Sequence, residues 1–285
     1  MIRYAKPASV TEALSLLGAA PWRILAGGTD VYPVQGTRPF RDDVLDINGL
    51  AELRGMSQAD GHLRIGARTT WSDIVRADLP PAFNALKLAA REVGSVQIQT
   101  AGTVAGNLCN ASPAADGVPP LLVLDASVEV RSATATRVLP LSAFILGNRR
   151  TALAPDEMVT AILVPNAATQ GRSSFVKLGA RRYLVISIAM TAARLVVKDG
   201  LVSQAAIAVG ACSAVAQRLP GLEAALVGRP ADATLVEAVR PAHFDVLSPI
   251  DDVRGSSGYR VAAAREIVAR AILSVLGLPA RELAA

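Results

Sequence analysis

Cysteine and histidine are nearly missing from this 285-residue chain, which has two of each. Two thiols, Cys109 and Cys212, cannot by themselves ligate an iron–sulfur cluster, which takes four cysteines, nor can they build a disulfide framework. That usage fits a reducing compartment. His62 and His243 are far apart in the chain and no G-x-S-x-G turn accompanies them, so hydrolytic triad chemistry has no support. A zinc site would have to collect both histidines and both cysteines without any close spacing. No metal ligand and no catalytic acid–base pair is therefore assigned to this chain. Long apolar runs are also missing. The most apolar stretch, residues 184–193, ends at Arg194 and falls well short of the ~20 residues of a membrane span. The opening Met1-Ile2-Arg3-Tyr4-Ala5-Lys6-Pro7 lacks the apolar region of a secretion signal. The expectation is a cytoplasmic protein. Aromatic residues make up only 4%, which leaves Ala, Val, Leu and Ile to build the core, within a hydrophobic fraction of 51%. The net charge of +5 is scattered rather than clustered, so nucleic-acid binding is not expected. A mildly basic surface suits acidic protein partners or an anionic cofactor better.

The patterning that is present divides the chain. Residues 1–55 read as a small βαβ-type unit. Ser9-Val10-Thr11-Glu12 is a capping-box pattern, Val10, Ala13, Leu14 and Leu17 share one helical face, and Gly18 is expected to stop the helix. Residues 23–26 and 44–47 read as short strands. In the next segment, strands are expected at 62–65, 127–131 and 159–164. A short helix opens at Thr70, and another runs from Pro81 to about Val93 with Gly94 as its stop. Pro165 and the polar residues that follow it mark a boundary. The expected domains are 1–167, subdivided near residue 55, and 168–285. In the second, strands are expected at 175–178, 185–197 and 201–209. Asp199-Gly200 is a hairpin signal, because a type I′ turn needs two positive φ angles. Helices are expected at 221–227, 233–239 and 259–276. The fold class is α+β, with a three-stranded antiparallel sheet covered by helices at the C-terminal end.

The stretch that points to chemistry is residues 93–115, which carries no charged side chain and contains Gly94, Gly102 and Gly106 among Thr, Ser and Asn. A second glycine turn, Leu25-Ala26-Gly27-Gly28-Thr29-Asp30, directly follows an expected strand. Successive backbone N–H groups in such turns form nests that hold phosphate oxygens without Lys or Arg. Two of them can grip a diphosphate from both sides, and Asp116 just beyond can accept from a sugar hydroxyl. The same glycines are equally consistent with plain tight turns. Neither segment is a G-x-G-x-x-G fingerprint or a Gly-Lys-Ser/Thr phosphate loop. Cys109 within the stretch reads as a small buried filler rather than a nucleophile.

Taken in order, these residues resemble one family, the FAD-binding (medium) subunit of molybdenum hydroxylases of the xanthine, carbon monoxide and quinoline or nicotine dehydrogenase type. The resemblance is carried by Ala26-Gly27-Gly28-Thr29-Asp30, by Thr103-Val104-Ala105-Gly106-Asn107, and by Ala111-Ser112-Pro113-Ala114-Ala115-Asp116. It continues through Glu157-Met158-Val159, Phe175-Val176-Lys177-Leu178-Gly179-Ala180-Arg181-Arg182 and Asp252-Val253-Arg254-Gly255-Ser256-Ser257-Gly258-Tyr259-Arg260, and so covers essentially the whole chain. Two positions depart from the pattern: Ala105 replaces a glycine, and Gln99-Thr100 replaces a common Arg-Asn.

The resemblance implies a vanillyl-alcohol-oxidase-like (PCMH-type) FAD-binding domain of two subdomains, followed by a smaller C-terminal domain. It implies one FAD, with Arg23, Ile24, Leu25, Ala26, Gly27, Gly28, Thr29, Asp30 and Val31 on one side of the diphosphate and ribityl chain. Thr103, Val104, Ala105, Gly106 and Asn107 would lie on the other side, with Asn110 and Ser112 along the same cofactor. Asp116 would reach its hydroxyls, Val159 would pack on the isoalloxazine, and Lys177 would stand at the polar edge of the ring. Tyr183 would sit on a loop that shields it. The implied partners are a large molybdopterin-binding subunit and a small [2Fe–2S] subunit, which carry the molybdopterin cofactor and the clusters, in a dimer of heterotrimers. The implied function is oxidoreductase electron transfer from those clusters through FAD to an external acceptor. The alternative is a stand-alone flavoprotein reductase of the same fold.

Overall fold

A computed structural model describes residues 2–279. The chain opens with the expected βαβ unit. Tyr4–Ala5, Val44–Asp46 and Arg23–Leu25 pair in parallel in that order, and the helix Val10–Ala19 covers them. Ser9 caps this helix by accepting from the Glu12 amide at 3.2 Å, while the Glu12 carboxylate reaches back to the Ala8 amide at 2.8 Å. Val10, Ala13, Leu14 and Leu17 all face the core, as their spacing requires. The helix does not stop at Gly18 but runs to Ala19, since a helical glycine costs only about 1 kcal/mol and the end is set by the extended Ala20.

A five-stranded antiparallel sheet follows, in the order Met56–Ala59, His62–Gly66, Met158–Pro165, Ser127–Arg131, Thr136–Pro140. Trp71, Phe83, Leu86, Leu108, Leu121 and Phe144 form the core against it. Thr70 and Asp73 form a reciprocal capping box at the start of the helix Trp71–Arg76. The segment expected as one helix from Pro81 begins as a 3₁₀ turn, Pro81–Phe83, and becomes α-helical at Asn84–Glu92; Gly94, at φ +54°, reverses the chain beyond it.

The C-terminal sheet is antiparallel and has four strands rather than three: Arg172–Leu178, Ala189–Lys198, Leu201–Gly210 and the two-residue edge strand Gln217–Arg218. An edge that short carries no readable alternation. The hairpin at Asp199-Gly200 has φ angles of +51° and +75°, as a type I′ turn demands. Both faces of this sheet are buried, with period-two alternation. Met190, Ala192, Ala206 and Ala208 pack toward the preceding core, whereas Ala189, Ala193, Leu195, Ile207 and Val209 pack under the helices Pro220–Leu226 and Ser257–Leu276. The residues expected as a helix at 233–239 form a 3₁₀ segment, Ala233–Ala238. The strand expected from 185 starts only at Ala189, because residues 184–187 turn aside to the site described next.

Candidate functional site

The two glycine segments both line one cavity of about 870 Å³, within the size range of cofactor pockets. The first leaves the strand Arg23–Leu25 and turns at Ala26 to Thr29 into the short helix Val31–Gln35. Gly28 has φ +72°, and a Cβ there would come within 2.4 Å of the Tyr32 ring. Gly27 packs so closely on the second segment that a Cβ would lie 1.9 Å from the Ala101 carbonyl oxygen. The amides of Gly27, Gly28, Thr29, Asp30 and Val31 have no protein acceptor among the described residues. Free donors gathered ahead of a helix N-terminus are available to an anionic or carbonyl oxygen from outside the chain.

The second segment is not a loop. Ser95 caps the helix Val96–Ala101, Gly102 breaks it, and Thr103 caps a second helix, Val104–Asn110, by accepting from the Gly106 amide at 3.0 Å. The small and polar residues that hid both helices from the sequence pattern are their caps and first turns. Ala105 is buried in helical backbone, without the positive φ that would require glycine, so its methyl group is accommodated. Its neighbour Asn107 lines the cavity with a buried Oδ1 that has no partner. A native orphan of this kind marks a missing donor, such as a ligand hydroxyl or N–H.

Asp116 and Lys177 meet on the cavity wall. Lys177 Nζ lies 2.6 Å from Asp116 Oδ2, and Ser187 donates to Oδ1 at 2.7 Å. Burial pushes the Asp116 carboxyl up, and Lys177 and Ser187 pull against it. Glu157, also on the wall, is held below the usual carboxylate range by Arg137, whose Nε and Nη2 reach it at 2.7 and 2.6 Å. Asn110 bridges the two segments, donating to Asp30 at 2.9 Å and accepting from Arg149. Cys109 lines the cavity. Its side chain is solvent-accessible, yet the protein packed around it pushes the thiol up to about 12.

Of the residues assigned from sequence, Ile24, Ala26, Gly27, Gly28, Thr29, Asp30, Val31, Thr103, Ala105, Gly106, Asn107, Asn110, Ser112, Asp116, Val159 and Lys177 line this cavity. Arg23, Leu25, Val104 and Tyr183 do not. Arg23 and Leu25 flank Ile24 on a strand, so they face away from it; Arg23 pairs with Asp42 at 3.1 Å. Val104 is fully buried in the core, and Tyr183 is 62% exposed, stacked beneath Arg182. The neighbours of Tyr183, namely Leu184, Val185 and Ile186, line the cavity in its place. Sequence reasoning missed these three, having read Val185 and Ile186 as strand. It also missed Trp22, Ile98 and the Leu153-Ala154-Pro155 turn, whose apolar side chains look like ordinary core in the sequence.

Comparison with known proteins supplies the family. Residues 1–167 match the family described as the FAD binding domain in molybdopterin dehydrogenase, and residues 174–275 match the CO dehydrogenase flavoprotein C-terminal domain. The nicotine 6-hydroxylase medium subunit of Paenarthrobacter nicotinovorans is 31% identical over 95% of this chain and 96% of its own. The nicotinate dehydrogenase FAD-subunit of Eubacterium barkeri is 31% identical over 95% and 94%. Among solved structures, carbon monoxide dehydrogenase from Hydrogenophaga pseudoflava superposes with a TM-score of 0.85 at 28% identity, covering 97% of each chain. With both segments matched along almost its full length, the chain belongs to the family of FAD-binding medium subunits of molybdenum hydroxylases.

Proposed function

We propose that this chain is the FAD-bearing electron-transfer subunit of a molybdenum hydroxylase, taking electrons from [2Fe–2S] clusters on a small partner and delivering them to an external acceptor. The observation that carries the reading is the run of five acceptor-less amides from Gly27 to Val31 on the wall of an 870 Å³ cavity that also presents the orphaned Asn107 oxygen. The residues fit FAD. The Gly27–Val31 turn would take the diphosphate, Asn107 and Ser112 the ribityl hydroxyls, and the apolar Val159, Leu184, Val185 and Ile186 the flat ring. Bound there, FAD supplies the ability to accept electrons singly and release them in pairs.

The protein's own contribution is position and field. Lys177, held at the wall by Asp116, places a cation where negative charge on the cofactor would need one. Leu184, Val185 and Ile186 border that end, and Ser187 ties their segment to Asp116. The described residues hold no group of three or more His, Cys, Asp or Glu able to bind a metal ion. The proposed layout is a PCMH-type domain, 1–167, in subdomains near 1–55 and 56–167, with 168–285 as the C-terminal domain. The separate cores under the first and last sheets support it. The partners are a large molybdopterin subunit and the small cluster subunit, in a cytoplasmic dimer of heterotrimers. Cys109 and Cys212, both free thiols, suit that compartment.

Purification from the native source tests this. The expected material has two companion chains, molybdenum, and a visible spectrum of flavin plus [2Fe–2S]. A lone chain without iron or molybdenum that also takes up no added FAD would refute the reading; turnover of a small substrate by the isolated chain would favour a stand-alone reductase.

A further inference from the structure

Behind the Gly27 turn lies a second cavity of about 270 Å³, and Ala26 and Gly27 line both it and the large one, so the turn is their common wall. Asn48, Arg54, Arg68, Thr70, Thr100 and Thr103 line the smaller space, and none of its lining residues is acidic. Two arginines in one small cavity repel unless something offsets them. Arg54 is already offset by a bidentate pair with Asp73, at 2.9 and 3.0 Å. Arg68 is not: it enters no ion pair among the described residues, and its Nη1 only donates to the Leu50 carbonyl at 2.8 Å. Its Nε is buried and has no partner at all. Burial, and then the charge of Arg54, lowers the Arg68 pKa. The carboxylate acting on it from nearby, Asp46, is engaged by the Tyr4 hydroxyl at 2.6 Å and by Asn48.

The other polar groups point to the same need. The Thr70 and Thr103 hydroxyls each accept from a backbone amide, of Asp73 and Gly106, and neither hydrogen is donated to a protein atom. Their backbones form a bridge, which sets the two residues side by side. The Arg68 guanidinium and two hydroxyls thus bring spare donors to a space whose lining contributes no carboxylate. A buried donor without an acceptor costs about 1–3 kcal/mol, so a native cavity of this composition is built for something that accepts.

We propose that this cavity is a binding site for one carboxylate-type oxyanion, held by Arg68 with Thr70 and Thr103 as further donors. The anion is either a free small carboxylate or the side chain of an acidic residue on a partner subunit. The chemistry is the same in both cases, and the shared wall places the anion directly behind the turn assigned to the FAD diphosphate.

The probe is sodium acetate, titrated into the purified FAD-loaded chain at constant ionic strength maintained with sodium chloride, with the acetate methyl proton linewidth as readout. The expected result is saturable broadening. Arg68→Met should weaken it by at least about tenfold, the loss typical of a charge-assisted hydrogen bond, while flavin absorbance stays that of the wild type. That unchanged absorbance separates failure here from failure of the FAD assignment. Non-saturating broadening in the wild type, or equal binding by Arg68→Met, overturns the site; the wild-type titration alone decides should the variant not fold. In the assembled complex, loss of acetate binding identifies a partner's carboxylate as the occupant, and retained binding identifies a free ligand.

Discussion

Lys177 and Asp116 join the two matched segments of the chain through a 2.6 Å ion pair, with both side chains less than a tenth exposed. Asp116 belongs to the segment with the glycine turns and Lys177 to the first strand of the C-terminal sheet, 61 residues later. Breaking such a pair from one side leaves a buried charge uncompensated, at a cost of about 3–5 kcal/mol. Lys177→Met should therefore destabilise the chain by that amount in urea unfolding. Lys177→Met combined with Asp116→Leu should recover most of the loss. A double variant as unstable as the sum of the two single ones would show that the residues are not coupled.

Gly27 and Gly28 should respond differently to a side chain. Gly28→Val forces a β-branched residue to φ +72°, costing about 1–2 kcal/mol, but its steric neighbour is the movable Tyr32 ring. Flavin content should fall while far-ultraviolet circular dichroism stays close to that of the wild type. Gly27→Ala drives a methyl group into the backbone oxygen of Ala101, which cannot swing away. Both flavin content and melting temperature should drop. Unchanged FAD content in Gly28→Val would remove this turn from the site.

Glu157 gives the stability a pH signature. Arg137 holds its carboxyl below the ordinary value of 4.5, so the pair stabilises the fold above that pH, and the contribution is lost as pH falls through the lowered value. Because Arg137 is partly exposed, the contribution is about 1 kcal/mol. Glu157→Gln should lose that amount at pH 7 and show a shallower decline of stability in acid. Parallel curves for variant and wild type would count against the pair.

The two thiols should be sluggish. Burial raises Cys212 to about 11, and the protein packed around the solvent-accessible Cys109 raises it to about 12. At pH 8 the thiolate fraction of Cys109 is then on the order of a thousandfold below that of a free cysteine. Iodoacetamide should label it correspondingly slowly in the folded chain, and Cys109→Ser should retain its flavin. Rapid labelling with loss of FAD would make the residue more than a filler.

The sequence alone was enough for the local elements that depend on nearby residues. The Ser9 cap and its helix face, the Asp199-Gly200 hairpin, the strand Ser127–Arg131 and the helix ending at Leu276 all follow from period, cap or turn chemistry within a few positions. The ordered motifs from Ala26 to Arg260 were likewise enough for the family. Tertiary structure decided what depends on distant partners. It made helix caps of what read as loops at Ser95 and Thr103, because small polar residues favour caps and turns alike. It turned Val185 and Ile186 out of a strand and into the cavity, and it buried both faces of the C-terminal sheet. It paired Lys177 with Asp116 and left Arg68 Nε without an acceptor. Periodicity shows which side of an element is apolar, but not which other element will meet it; that is settled only when the chain closes and each buried polar group finds, or fails to find, a partner.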